Sequence, residues 1–282
     1  MSEVIAGLAK VYPQLYLNPD IDSQEDYRSI VLRGTSPADD KKRLDHYRGS
    51  EFDSDVTVDT PAGVVRVVTI GDRHDFELVL RGFLAAKNGP SDPVPSSQGA
   101  AMITVFNWPR IHAHLAKFLP FERAAELKRF TSVKENYLDM LIVLSRGPYS
   151  DIRPEGVAEA DWISDSDTIR RYHELTHVIC RRQWPDDIDE IRDELIADAV
   201  GLYAAYGRFD RELAMKFLGI KESQDEGGCS YTGGRLGNYT SDPGGIAGRI
   251  CAALDRISEI CDAFDGESVF ELIKPLMEGG VY

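Results

Sequence analysis

The spacing of apolar and polar positions changes several times along this chain, and each change predicts an element. Residues 1–50 carry a charged, helix-like pattern broken near Pro13, Pro19 and Gly34. From residue 55 the pattern shifts: Val56-Thr57-Val58, a turn at Thr60-Pro61-Ala62-Gly63, then Val64-Val65-Arg66-Val67-Val68. That succession predicts a β-hairpin. A helical stretch covers about 75–87, and the Pro-, Ser-, Asp- and Gly-rich 88–99 predicts a surface loop or lobe junction. Residues 101–106 and 138–144 are short apolar runs suited to buried strands, with helical spacing at 108–118 and 121–130 between them. From about 165 helical spacing dominates. A Gly-rich segment, 222–246, interrupts it, and helices near 246–263 and 267–277 close the chain.

These elements predict an α+β, helix-rich fold. An N-terminal lobe, residues 1–160, would carry a small sheet, and a helical lobe, 161–282, would follow. A chain of 282 residues is long enough for one large domain or two lobes.

The helical lobe holds the densest chemistry. Ser164, Ser166 and Asp167 supply helix-start residues and Trp184-Pro185 a stop, which predicts a helix over 167–183. Ile169, Tyr172, Thr176 and Ile179 form its buried stripe, with His173 at the border. Asp187 and Glu190 read as a capping box that starts a second helix, with the stripe Ile188, Ile191, Leu195 and Leu202. Within the first helix lies His173-Glu174-Leu175-Thr176-His177. Histidines four apart share a face and can grip one metal ion. Glu174 between them can take a proton from a water beside that ion. At ~1.5 Å per residue, His177 and Glu194 lie ~9 and ~10 Å from the turn, so an antiparallel pair sets them level. One turn further, His173 meets Asp198. The simplest scheme has Glu194 as third ligand and Asp198 accepting a hydrogen bond from a ligand histidine.

His173-Glu-Leu-Thr-His177 followed by Glu194-Leu-Ile-Ala-Asp198 resembles the HExxH…ExxxD signature of gluzincin metallopeptidases. The resemblance spans residues 173–198 and implies a zincin-like fold with one zinc ion. By motif, His173, His177 and Glu194 would bind zinc, Glu174 would be the general base, and Asp198 would orient His173. It also implies a hydrolase that cleaves peptide or amide bonds in a peptide or protein substrate, laid along a sheet edge by strand addition. Residues 101–106 or 138–144 would supply that edge. Gluzincins add a downstream Tyr or His that steadies the oxyanion. Tyr231, Arg235 and Tyr239 of the Gly-rich segment are the candidates to meet an oxyanion or a substrate carboxylate.

Net charge of −15 excludes nucleic acid as the main partner, because phosphate binding needs a basic surface. No run approaches the roughly 18 apolar residues of a membrane helix. The first residues show no basic leader, and four cysteines without a C-x-x-C pair suit reduced thiols, so a cytoplasmic protein is expected. His112 and His114, two apart on a helix, diverge rather than chelate, and His46 and His74 are expected to be solvated. Cys180 reads as a small core residue. The acidic run 186–190 suits a helix N-terminus better than a calcium site.

Two other readings remain open. The same two histidines and carboxylate could hold Fe(II) for oxygen chemistry, which would leave Glu174 idle. A di-iron site is weaker, because Glu174-x-x-His177 is the only E-x-x-H present. Alternatively the chain is a non-catalytic binding protein on a zincin-like scaffold, with its N-terminal lobe as partner surface.

Overall fold

The computed structural model describes residues 2–37, 42–84, 93–187, 189–223 and 228–282. The chain is α+β and forms two compact units, one of residues 1–58 and 65–146, the other of 59–64 and 147–282. The expected lobe boundary at 160/161 falls inside a helix that begins at Glu159.

The first unit is built on a four-stranded sheet in the order β1-β2-β4-β3, comprising Ser54–Thr60, Gly63–Ile70, Leu138–Ser145 and Ala100–Phe106 respectively. Strands β2 and β4 run parallel, with Val67 opposite Ile142, while β3 runs antiparallel to β4. The continuous apolar runs of β2 and β4 are explained by this order, since both are interior strands buried along their C-terminal halves. Strand β4 therefore offers no free edge, which corrects one of the two edges expected for a substrate. Of the two candidate strands only β3 lies at an edge of this sheet, β1 forming the other edge. Helices α1 (Glu3–Val11), α2 (Gln24–Tyr27) and α3 (Arg73–Leu84) accompany the sheet. Ile5, Leu8 and Tyr12 from the first, and Phe76, Val79 and Leu80 from the third, share a core with Leu141 and Val143. Helices α4 (Trp108–Leu115) and α5 (Arg123–Phe130) lie where the periodicity predicts them. The last residues of the helix expected to 87, and much of the loop expected at 88–99, lie outside the described residues.

Asp139 on β4 ties this unit together. Tyr12 Oη and Asn107 Nδ2 each donate to its Oδ2 at 2.9 Å, and Arg110 Nη2 donates to Oδ1 at 2.5 Å. Burial pushes this carboxyl up, but the three donors outweigh it and hold its pKa below the ordinary value. A depressed pKa stabilises the fold above the unfolded value of about 3.9, and that contribution is lost as pH falls through the folded one. Asp139→Asn is expected to lower the denaturant midpoint at pH 7 and to flatten the decline of stability below about pH 4. An unchanged decline would show that other carboxylates carry it.

The second unit centres on two long helices, α6 (Glu159–Gln183) and α7 (Glu190–Tyr206). Helix α6 starts eight residues before the expected Asp167 because Ser166 is not used as a cap; its Oγ accepts from Tyr149 N instead, at 3.0 Å. Asp189 caps α7, accepting from Arg192 N, and displaces the expected cap at Asp187. Ile188 of the expected stripe lies outside the described residues. Gly201 of α7 sits against the α6 backbone, where an added Cβ would stand 2.7 Å from Ile169 O. Gly201→Ala must push the helices apart, so it is expected to cost about 1–3 kcal/mol in a denaturant melt. A neutral result would mean that α7 can shift freely.

Around this pair pack α8 (Arg211–Leu218), α9 (Leu236–Tyr239), α10 (Pro243–Asp262) and α11 (Ile273–Glu278). The segment expected as a loop contains a small hairpin, β5 (Ile220–Glu222) with β6 (Cys229–Tyr231). Gly227 of that segment is outside the described residues. Reduced thiols were expected throughout, but Cys229 and Cys251 form a disulfide between β6 and α10. Their pairing depends on a contact between β6 and α10, which cysteine spacing along the chain does not reveal. Cys180 and Cys261 are free and buried, their thiols pushed up to about 12 by burial. No helix among the described residues is long and apolar enough to cross a membrane.

Candidate metal centre

The register of α6 against α7 sets the site. His173 and His177, one turn apart on α6, point their Nε2 atoms at each other across 3.0 Å. Glu194 of α7 places Oε2 3.5 Å from His173 Nε2 and Oε1 3.5 Å from His177 Nε2. Ligands about 2.0–2.1 Å from one ion stand about 3.3 Å apart when tetrahedral, so these three separations suit a single shared ion. Among the described residues, this is where His, Cys, Asp and Glu atoms gather closely enough to hold a metal.

Proton bookkeeping around His173 shows what the converging atoms offer. Tyr149 Oη donates to Asp198 Oδ1 at 2.8 Å, and Arg235 Nη1 donates to Tyr149 Oη at 2.9 Å. His173 Nδ1 lies 2.8 Å from the same tyrosine oxygen and 3.0 Å from Asp198 Oδ1. With the tyrosine proton spent on Asp198, His173 Nδ1 must be the donor, which leaves Nε2 as a lone pair facing the centre. His177 Nδ1 likewise faces a carboxylate, 2.8 Å from Asp193 Oδ2, itself near Arg181. Two lone pairs and a carboxylate then face one point with no donor among them. A metal cation satisfies that arrangement.

Charge supports the same conclusion. Asp193, Glu194 and Asp198 are three largely buried carboxylates, and Arg235 is the guanidinium paired with Asp198. Arg181 lies 3.6 Å from Asp193, so among the described residues Glu194 is the one of the three in no ion pair with a guanidinium. Burial alone would push the Asp198 carboxyl up, yet Arg235 and His173 hold it far below its ordinary range. Burial raises the Tyr149 hydroxyl well above its ordinary value, so it keeps its proton and stays a donor.

Three residues of α6, four apart, staple the loop that brings Tyr149 in. Trp162 Nε1 donates to Ile152 O at 2.6 Å, Ser166 Oγ accepts from Tyr149 N, and Arg170 Nη2 donates to Gly147 O and Pro148 O. The turn after Tyr149 puts Ser150 and Asp151 at φ of 55° and 54°. Left-handed backbone at two successive residues other than glycine is costly, and here it aims a tyrosine at a ligand histidine.

The chain matches the model of a family of unknown function, DUF7005, over residues 2–259. It belongs to DUF7005. No curated protein and no solved structure matches it.

In this DUF7005 chain His173, His177, Glu194 and Asp198 come together as their spacing predicts. Glu174 is half-buried beside the pair of histidines, and no hydrogen bond or ion pair among the described residues holds its carboxylate. The three oxyanion candidates do not stand free. Tyr239 Oη donates to Glu194 Oε2 at 2.9 Å, Arg235 is paired with Asp198, and Tyr231 Oη donates to Gly234 O. Tyr239 and Arg235 are thus each engaged by a carboxylate of the centre.

Sequence reasoning missed Tyr149 and Asp193. Asp193 carried a usable signal, because it directly precedes Glu194 and so stands at nearly the same height on α7, level with His177. Tyr149 carried none.

The remaining histidines stand apart. His112 Nε2 meets Leu32 O at 3.0 Å, and His114 stacks on Phe130. His46 and His74, expected to be solvated, are half-buried, and burial lowers the pKa of His46.

Proposed function

We propose that this chain is a metal-dependent hydrolase, with one zinc ion held by His173, His177 and Glu194 and with Glu174 as general base. The observation that carries the reading is the convergence of two imidazole nitrogens and a carboxylate, with Glu174 next to His173 on the same helix and in no hydrogen bond or ion pair among the described residues. The motif's resemblance to gluzincins supports a peptide or amide bond in a peptide or protein as the target, and a zincin-like scaffold. Zinc so bound would polarise a carbonyl and bring a water's pKa toward about 7.

The chain's own residues supply the rest. Glu174 can hold the water's proton on its free carboxylate and return it to the leaving nitrogen. Asp198 and Tyr149 keep His173 in the tautomer that presents Nε2, and Asp193 does the same for His177. Tyr239 keeps Glu194 turned inward. An idle Glu174 would be hard to explain in an Fe(II) oxygenase or a non-catalytic protein.

Elemental analysis of purified protein, paired with turnover of unstructured peptide substrates, is the test. About one zinc per chain with turnover that depends on Glu174 is the expected result. Iron with dioxygen-dependent turnover would replace the reading, and a chain that binds no metal would end it.

A further inference from the structure

We propose that the Cys229–Cys251 disulfide is a thiol-exchange site whose redox state sets the metal affinity of the centre. The inference rests on the metal centre proposed above.

The bridge spans 22 residues and joins β6 to α10. Of the three side chains that brace the centre from outside the α6–α7 pair, Tyr149, Arg235 and Tyr239, the last two lie within that span. Arg235 is paired with Asp198 and donates to Tyr149 Oη, which fixes His173; Tyr239 donates to the ligand Glu194. The span contains β6, the single turn of α9 and the first nine residues of α10. Arg235 and Tyr239 sit in the stretch between β6 and α10, residues 232–242, whose regular structure is that single turn and which carries the glycine pair 233–234. Few other ties hold this stretch among the described residues. Thr232 N donates to Gly219 O at 2.7 Å, Arg235 N donates to Phe217 O at 3.2 Å, and Leu236 is buried. Opening the cross-link enlarges the set of conformations this span can reach. Metal binding would then have to restore the order that the bridge maintains, and affinity falls accordingly.

Access is asymmetric. Cys229 is half-buried next to exposed Gly228, whereas Cys251 is buried on α10. A small thiolate attacks the Cys229 sulfur, the S–S bond breaks, and Cys251 leaves as a thiolate that takes up a proton. A second thiolate attacks the mixed disulfide on Cys229, releasing the Cys229 thiol and the small-molecule disulfide. The net change is one protein disulfide and two small thiols to two protein thiols and one small disulfide. Cys180 and Cys261 are buried with raised pKa values, so they do not compete as attacking thiolates.

The test measures zinc affinity of the full chain by competition with a chromophoric chelator, without oxygen. The oxidised protein is compared with protein reduced by a phosphine and freed of it, and with the double variant Cys229→Ser/Cys251→Ser. Thiol counting verifies that the bridge has opened, and far-UV circular dichroism that the helices persist. Reduction and the double substitution are each expected to weaken zinc binding about tenfold or more, and reoxidation to restore it. In an Arg235→Gln/Tyr239→Phe background, opening the bridge is expected to change affinity by less than about twofold.

Unchanged affinity in verified reduced protein overturns the proposal. So does an equal loss in the Arg235/Tyr239 background, or loss of helical signal on reduction, since either places the effect in general unfolding. An oxidised chain that binds no zinc overturns the metal centre itself, and this inference with it.

Discussion

Glu174→Gln is expected to keep about one metal ion per chain while turnover falls about 10³-fold, within the range for loss of a general base. Glutamine matches glutamate in volume and helix propensity, so α6 keeps its packing and its histidines. What it loses is the ability to take and return a proton. Metal content should hold because Glu174 is not among the three converging ligand atoms. His173→Ala or Glu194→Ala should instead empty the site, which separates loss of chemistry from loss of metal. Retained turnover in Glu174→Gln would remove Glu174 from the mechanism. Lost metal would make it a ligand, and the tautomer argument would need a different centre.

Stripping the metal is expected to lower Tm by about 10 °C. An ion present at a thousand times its Kd stabilises the folded state by about 4 kcal/mol. In a chain of this size each kcal/mol shifts Tm by about 2–4 °C. The physical source is visible in the site: without a cation, two imidazole lone pairs and a carboxylate face each other, with Asp193 and Asp198 close behind. Returning the ion should restore Tm. His177→Ala should melt at the lower temperature whether or not chelator is present. If wild-type protein shown to be free of metal melts unchanged, the ion contributes nothing to folding and the donor set is satisfied in some other way.

Legibility differed sharply between the parts of the site. The spacing of His173 and His177, the stop at Trp184-Pro185, and the distances to Glu194 and Asp198 were enough to predict which atoms meet across α6 and α7. That reading survived although both helix starts were misplaced. The register depends on rise per residue and on the turn between the helices, not on where the far ends lie. Misreading Ser166 as a cap had a specific cause. A serine near a helix start looks the same whether its oxygen accepts from its own helix or, as here, from Tyr149 N.

The oxyanion candidates show the opposite case. Tyr231, Arg235 and Tyr239 were singled out because polar side chains in a Gly-rich segment can reach a cleft. Their hydrogen bonds turn two of them toward Asp198 and Glu194, and the third toward its own backbone. A buried carboxylate behind a metal ligand needs a counter-charge, and that need outweighs any preference of the segment for solvent.

Local periodicity determined, from the sequence alone, the strands, the long helices and the face on which two histidines and two carboxylates converge. A helix repeats its geometry every turn, and a short connection carries that geometry into the next helix. Tertiary structure alone decided the rest. Tyr149 reaches His173 across 24 residues, Arg235 reaches Tyr149 across 86, and Cys229 meets Cys251 across 22 through a strand and a helix unrelated in period. Those contacts arise when packing brings distant segments together, and residue spacing along the chain carries no record of which segments will meet.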